Sequence, residues 1–212
     1  MRSIFVILLL CGFVSAAGLK ECQSDADKID GCVAKGYHEN GNLKYEIPYK
    51  NGKEEGVEKQ YYENGNLWGE IPYKNGEQDG VAKSYHENGN LMVEHHLKNG
   101  KLDGVSKWYY KNGNLEAEIP YENDKAEGTG GVHREDGSLY VQLTYSAYSN
   151  GEVISGKCGD GKNLTNAHLH NINQFIRPRR WFRSEIAIEV VRTNDLKDFC
   201  DWKSTSKRFL PR

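Results

Sequence analysis

What this chain lacks most is apolar material. Only 37% of its 212 residues are hydrophobic, with two methionines and six phenylalanines, against 23 glycines and a mean hydropathy of −0.76. A conventional sealed core is hard to build from such a composition, which reads as a soluble, polar, glycine-rich protein. Also missing is any nucleophile with a base beside it, any acid–base pair, and any cofactor motif, so no enzymatic role is expected. Cysteine is sparse, at five.

What is there is repetition. Glu39-Asn-Gly-Asn-Leu43 recurs at Glu63 to Leu67 and Glu87 to Leu91, and Lys111-Asn-Gly-Asn-Leu115 follows, a period of 24 residues. A second signal, Tyr49-Lys-Asn-Gly52 and Tyr73-Lys-Asn-Gly76, with Leu97-Lys-Asn-Gly100 and Tyr121-Glu-Asn-Asp124 as variants, runs half a period out of phase. Two turn signals per period fit two short strands rather than helices. The repeats are 32–55, 56–79, 80–103 and 104–127, with a degenerate fifth from 128 in which Asp136-Gly-Ser-Leu139 replaces the motif. The expected fold is mainly β, an elongated single-sheet solenoid of stacked hairpins, in which each hairpin needs only its neighbours for burial.

Alternation predicts the faces. In the second strand of each repeat Leu67, Gly69, Ile71 and Tyr73 share one face, and Trp68, Glu70 and Pro72 the other. The first strand offers Val57 and Tyr61 as its apolar pair. A three-residue loop, Glu63-Asn64-Gly65, with a left-handed glycine, sets Tyr61 opposite Leu67 and Val57 opposite Ile71. It also places Lys59, Lys83 and Lys107 on the apolar face, a misfit that snorkelling stems would have to absorb.

The stretch Tyr61-Tyr-Glu-Asn-Gly-Asn-Leu-Trp-Gly-Glu-Ile-Pro-Tyr-Lys-Asn-Gly-Glu-Gln-Asp-Gly80 resembles the variant MORN repeat of bacterial proteins grouped under the label of an antitoxin family of toxin–antitoxin systems. The resemblance covers residues 32 to 151. It implies a twisted meander of β-hairpins and an antitoxin or protein-interaction role, without catalytic residues.

Outside the repeats, residues 1–17 read as a secretory signal. Arg2 supplies the positive charge, Ile4 to Leu10 the apolar core, and Val14-Ser15-Ala16 or Ser15-Ala16-Ala17 the cleavage site. Ile4 to Ala17 falls short of the roughly 20 residues of a membrane span. A lipoprotein reading at Cys11 meets Leu10 where a small residue is expected. Export to a bacterial periplasm, cell envelope or the medium is therefore expected. Removing the signal leaves Cys22, Cys32, Cys158 and Cys200, an even number suited to an oxidising compartment. Three pairings are open, and the expected one is Cys22 with Cys32 and Cys158 with Cys200, because each bridge would then pin a terminal segment to one end of the solenoid.

Residues 18–31 are expected to form an N-terminal cap and 152–212 a basic C-terminal cap or tail. From residue 18 to 174 there are 17 Lys or Arg against 25 Asp or Glu, whereas 175–212 carry 10 against five. In the tail, Thr165 is a candidate helix cap, 185–191 alternate like a strand, and Asn194 is placed to cap a short helix through Trp202. The basic run Arg177 to Arg183 would meet anionic lipid or nucleic acid, but most charge runs are solvated, and an exported chain rarely meets nucleic acid.

Three features invite a functional reading. Gly156-Lys-Cys-Gly-Asp-Gly-Lys-Asn163 has P-loop spacing but ends in Asn163 instead of Ser or Thr and contains a cysteine expected in a disulfide. Histidines give no ligand set: His38 and His86 lie about 19 Å apart at strand spacing, and His95 and His96 face opposite ways. They are read as exposed polar sheet residues. The third feature is the column Glu46, Glu70, Glu94 and Glu118, with Gln142 in the fifth repeat, and beside it Tyr62, His86, Tyr110 and Trp68. Such a ladder would grip a repetitive partner, although charges on an open strand face also serve solubility alone. At about 10 Å per repeat the carboxylates are too far apart for hydrolytic catalysis. The functional expectation is an exported, non-enzymatic, cofactor-free repeat protein that binds a protein partner, with an envelope glycan or anionic lipid as the alternative.

Overall fold

The computed structural model describes residues 18–175 together with Leu196, Phe199 and Cys200. The expected signal sequence, the basic run 177–183 and the strand expected at 185–191 lie outside the described residues, and of the second helix expected in the tail only Leu196, Phe199 and Cys200 are described, all three helical.

The repeats form one antiparallel sheet of 15 strands. Five hairpins follow one another in chain order. Their leading strands are Cys32–Tyr37, Gly56–Tyr61, Gly80–Tyr85, Gly104–Tyr109 and Gly128–His133. Their trailing strands are Leu43–Lys50, Leu67–Lys74, Leu91–Lys98, Leu115–Glu122 and Leu139–Ser146. After each of the first four trailing strands the chain folds back in a two-residue strand, such as Lys53–Glu54, before the next repeat begins. A last strand, Glu152–Cys158, continues the sheet past the fifth hairpin.

The two turns of each repeat differ in build. In the Tyr-Lys-Asn-Gly turn both central residues are left-handed, Asn51 at φ 53° and Gly52 at φ 75°, the two-residue geometry whose twist matches a hairpin. The Glu-Asn-Gly-Asn turn is the expected three-residue loop. Gly65, Gly89 and Gly113 sit at φ 87°, 86° and 90°, and the Gly65 amide donates to the carbonyl of Tyr62.

The loop sets Tyr61 opposite Leu67, as expected, but a second irregularity follows immediately. Gln60 pairs with Gly69, so Trp68 is an extra residue in the trailing strand, and the parity of the leading strand is reversed. Val57 therefore stands opposite Pro72, and Glu58 opposite Ile71. The expected pairing of Val57 with Ile71 is wrong by one residue. The same bulge recurs in all five hairpins. It removes the lysine misfit, because Lys59, Lys83 and Lys107 now oppose Glu70, Glu94 and Glu118 on the other face.

The sheet thus has a core face and a charged face. The core face carries small residues alternating with large ones: Ala34 opposite Ile47, Gln60 opposite Gly69, Ser106 opposite Ile119, Trp108 opposite Ala117, and Gly130 opposite Leu143. Close approach demands the small ones. A Cβ on Gly130 would lie 2.4 Å from the carbonyl oxygen of Glu118 in the preceding repeat. Toward the C-terminal end this face is sealed. Trp108, Ile119, Val132, Leu143 and Tyr145 form one buried cluster with Ile172 of the helix Asn166–Phe175 and with Leu196 and Cys200. The Cys158–Cys200 disulfide ties that segment down. Thr165 caps the helix as expected, its hydroxyl accepting from the His168 amide at 3.4 Å.

At the other end the helix Asp25–Asp30 stands in for a preceding repeat. Its Ile29 and Lys28 carbonyls accept from the amides of Asn51 and Gly52, a job done later by Glu54 and Gln78 for Gly76 and Gly100. Cys22 is bridged to Cys32, and Glu21 pairs in parallel with Val33, covering the first strand's open edge. Both disulfides match the expected pairing, and they fit an oxidising environment.

Candidate functional site

Within a hairpin six residue pairs are in register, but between repeats only two are, as with Tyr45–Gln60 and Glu46–Lys59. The repeats are tied instead by side chains at the sheet's two margins. At one margin the Asn-Gly-Asn motif reaches forward: Asn66 Nδ2 donates to the carbonyl of Glu87 at 2.9 Å, and Asn88 and Asn90 both donate to that of Lys111 at 3.0 and 2.8 Å. Asn40 and Asn42 do the same to Glu63. At the opposite margin carboxylates take up turn amides, Glu55 from Asn75 at 2.7 Å and Asp79 from Asn99 at 3.2 Å.

Tyr62, His86 and Tyr110 belong to the first of these margins. The Tyr62 hydroxyl donates to the carbonyl of Tyr85 at 2.7 Å, and that of Tyr110 to His133 at 2.8 Å. His86 Nε2 lies 3.2 Å from the carbonyl of Tyr109, and His38 Nε2 2.9 Å from that of Tyr61. The polar tips of this column bond backbone of the next repeat, which makes the column a set of inter-repeat struts.

The carboxylate column does lie in one row, with partners the sequence reading missed. Register across successive strands runs Lys35, Glu46, Lys59, Glu70, Lys83, Glu94, Lys107, Glu118, then Gly131, Gln142 and Lys157. Eight consecutive strands thus alternate in charge. Among the described residues no ion pair closes between neighbouring rungs.

The rings beside the carboxylates are Tyr61 and Tyr85, one residue before the expected column. Their hydroxyls donate to Glu46 at 3.2 Å and Glu70 at 3.1 Å. Burial, with the Glu46 carboxylate adding to it, pushes Tyr61 up to about 12. Burial and neighbouring glutamates likewise raise Tyr85 and Tyr109. Trp68, the bulge residue, is half-buried on this charged face by its alternation with Glu70 and Pro72. A further row holds Val81 and Val105, 38% and 36% exposed, with Pro72, His96 and Pro120 between and beside them.

The core face holds polar groups of its own. Glu58, only 7% exposed, accepts from Gln60 Nε2 at 2.5 Å, and Gln78 Nε2 donates to the Tyr73 hydroxyl at 3.1 Å. Burial first, then the charge of Glu58, raises the Glu54 carboxyl above its ordinary value. His95 is packed edge-on to Trp108 at 5.5 Å and sits 2.9 Å from the Ser106 hydroxyl. It is not the exposed polar residue expected, and burial brings it down to about 4. The P-loop-like stretch is strand and turn: Cys158 is bridged, and Lys162 Nζ donates to the Phe199 carbonyl at 3.2 Å over the Phe199 ring. Among the described residues no three His, Cys, Asp or Glu side chains are gathered to hold a metal, and no helix is long and apolar enough to cross a membrane.

Four segments of the chain, residues 33–51, 54–75, 78–99 and 102–123, match the family described as MORN repeat variant. The fifth hairpin keeps the same bulge and a left-handed Gly137 outside those matches. No curated protein matches the chain. Among solved structures, a Staphylococcus aureus TarM variant in complex with fondaparinux, alpha-GlcNAc-glycerol and UDP is 10% identical over 71% of this chain and 24% of its own, at a TM-score of 0.25. A porin-like protein from Bacteroides uniformis is 16% identical over 59% of this chain and 48% of its own, at a TM-score of 0.26. The chain spans less than half the length of either, and none of these matches names a toxin or an antitoxin.

Proposed function

We propose that this repeat protein is exported, is not an enzyme, and binds a protein partner along the charged face of its sheet. The observation that carries the reading is the alternating row from Lys35 to Glu118. A row that changes sign at every strand, about 4.8 Å apart, offers a uniformly charged polymer as much repulsion as attraction. That disfavours nucleic acid and anionic lipid at the repeats. It favours a surface with its own pattern of both signs, which is a protein. The exposed Val81 and Val105 beside the row add the apolar contact that a protein interface needs and a highly hydrated polyion does not. The glycan alternative is weakened, since three of the ladder's four rings, Tyr62, His86 and Tyr110, have their polar tips engaged by neighbouring backbone. Export is supported by the two disulfides.

The test is capture with the mature chain and with Lys83→Glu/Lys107→Glu, both confirmed folded. Partner recovery should fall at least tenfold in the variant. Equal recovery, or loss of capture only on removing residues 176–212, would transfer the binding role away from this face. Mass spectrometry should find the mature chain beginning near Ala17 or Gly18, and an intact Met1 in the envelope fraction would contradict export.

A further inference from the structure

The charge row has a symmetry property that follows from its length. It holds eight rungs, begins with Lys35 and ends with Glu118, so read backwards its signs are everywhere inverted. An alternating row with an even number of rungs is complementary to its own reverse. A two-fold axis lying parallel to the strands, between Glu70 and Lys83, therefore sets every lysine of one copy against a glutamate of the other. Lys35 meets Glu118, Glu46 meets Lys107, Lys59 meets Glu94, and Glu70 meets Lys83. The same rotation lays the neighbouring row on itself, with Val81 against Pro72 at the centre. The opposite orientation, with the two rows running the same way, brings like charges together at every rung.

We propose that the charged face closes on a second copy of this chain in this antiparallel arrangement. The inference rests on the reading that the face binds protein, and it names that protein. Eight strands at about 4.8 Å make a row of about 38 Å, and three side-chain rows span about 14 Å. Val33 and Pro48, beside the first two rungs, are already buried within the chain, so each copy would bury somewhat less than roughly 500 Å², under about 1,000 Å² in total, the size of a weak, salt-sensitive contact. Face-to-face sheets cross at about 30° because each is twisted, so the pairs nearest the axis close best and the outer ones splay. An isologous contact of this kind is closed, and it yields a dimer rather than a filament.

The experiment uses the full mature chain and two single charge reversals, Lys59→Glu and Glu94→Lys, followed by light scattering and native mass spectrometry at low salt. Wild type should be a dimer whose dissociation constant rises at least tenfold in high salt. Each single variant should be a monomer, because its reversed rung meets a like charge twice across the axis. Mixed in equal amounts, the two variants should form a dimer of one copy each, since every rung is then matched again. The recovery cannot arise within a chain, where both variants still carry their like-charged neighbours on the row. A wild type that stays monomeric at low salt, or single variants that dimerise as well as wild type, would overturn the proposal. If wild type is monomeric and Lys83→Glu/Lys107→Glu still loses capture, self-association fails while binding of a different protein at this face stands.

Discussion

The side-chain amide of Asn66 donates to the backbone carbonyl of Glu87, 2.9 Å away and 21 residues further on. A motif that looks like turn chemistry thus also crosses the repeat boundary. Asn88 does both at once, accepting from the Asn90 amide at 3.0 Å and donating to the Lys111 carbonyl at 3.0 Å. Asn88→Ala should therefore cost about 1–2 kcal/mol, two modest hydrogen bonds, whereas Glu87→Ala should cost almost nothing, because only its backbone is used. Urea titration of both variants measures the difference, and equal costs would remove the strut role.

Two glycines separate backbone strain from crowding. Gly89 is at φ 86°, and a Cβ added there would meet nothing within 4 Å, so Gly89→Val should cost about 1–2 kcal/mol from left-handed strain alone. Gly89→Asn should recover much of it, since asparagine tolerates that region. Gly130→Ala has the opposite cause: its methyl would meet the Glu118 carbonyl, and the fifth hairpin must separate from the fourth. Thermal melts of the three variants should rank Gly89→Asn as the mildest.

His95 predicts an acid-sensitive step. Its folded value is brought down to about 4 by burial, with His96 adding to the effect, against about 6.5 when unfolded. The unfolded chain therefore binds more protons between these values, and stability falls as pH drops from 6.5 toward 4, by at most roughly 3 kcal/mol. His95→Gln should flatten that part of the stability profile. At the alkaline end burial holds Tyr121 up to about 12, so stability is retained below pH 10 and lost above it as the unfolded phenol ionises first.

The disulfides close loops of different length, with sequence separations of 10 and 42 residues. On chain-entropy grounds removing them should cost roughly 3 and 4 kcal/mol. Cys158→Ser/Cys200→Ser should also loosen the cluster around Ile172 and Leu143, whereas Cys22→Ser/Cys32→Ser should affect the first hairpin. Hydrogen exchange resolved along the chain distinguishes the two, and protection loss spread evenly would contradict the end-pinning role.

Much of this architecture is local, and local features are legible. The period, the hairpins and the left-handed glycines at 65, 89 and 113 follow from residue spacing, while the disulfides are the one of three open pairings that pins the two ends. The faces of the leading strands were not legible, because alternation is a parity argument and one bulge residue, Trp68, inverts it. The clue was present in the lysines. Three lysines in one column on a supposedly apolar face signalled a slipped register, and moving them by one strand face puts each opposite a glutamate. The same slip misplaced the aromatic part of the candidate site, so that Tyr61 and Tyr85, rather than Tyr62 and His86, touch the carboxylates. The struts were hidden for a different reason: their acceptors are backbone carbonyls a whole repeat away, and a carbonyl leaves no mark in the sequence.

Backbone acceptors also make the array tolerant of removing a unit. Deleting residues 80–103, 24 residues in frame, brings the Lys111 carbonyl to where Asn66 found that of Glu87, and the Tyr109 carbonyl to where Tyr62 found that of Tyr85. Glu70 then faces Lys107 in place of Lys83, so the charge row stays alternating but shrinks from eight rungs to six. The shortened chain should fold, with far-UV circular dichroism of wild-type shape and a modestly lower melting point, because each repeat contacts only its neighbours. Partner capture, and self-association with it, should weaken while keeping its salt dependence, since six is still an even number of rungs. A deletion of the same segment with one residue retained should fare far worse, as a one-residue slip turns every following side chain to the wrong face. If both deletions fold and bind alike, neither the struts nor the charge row has the role assigned to it.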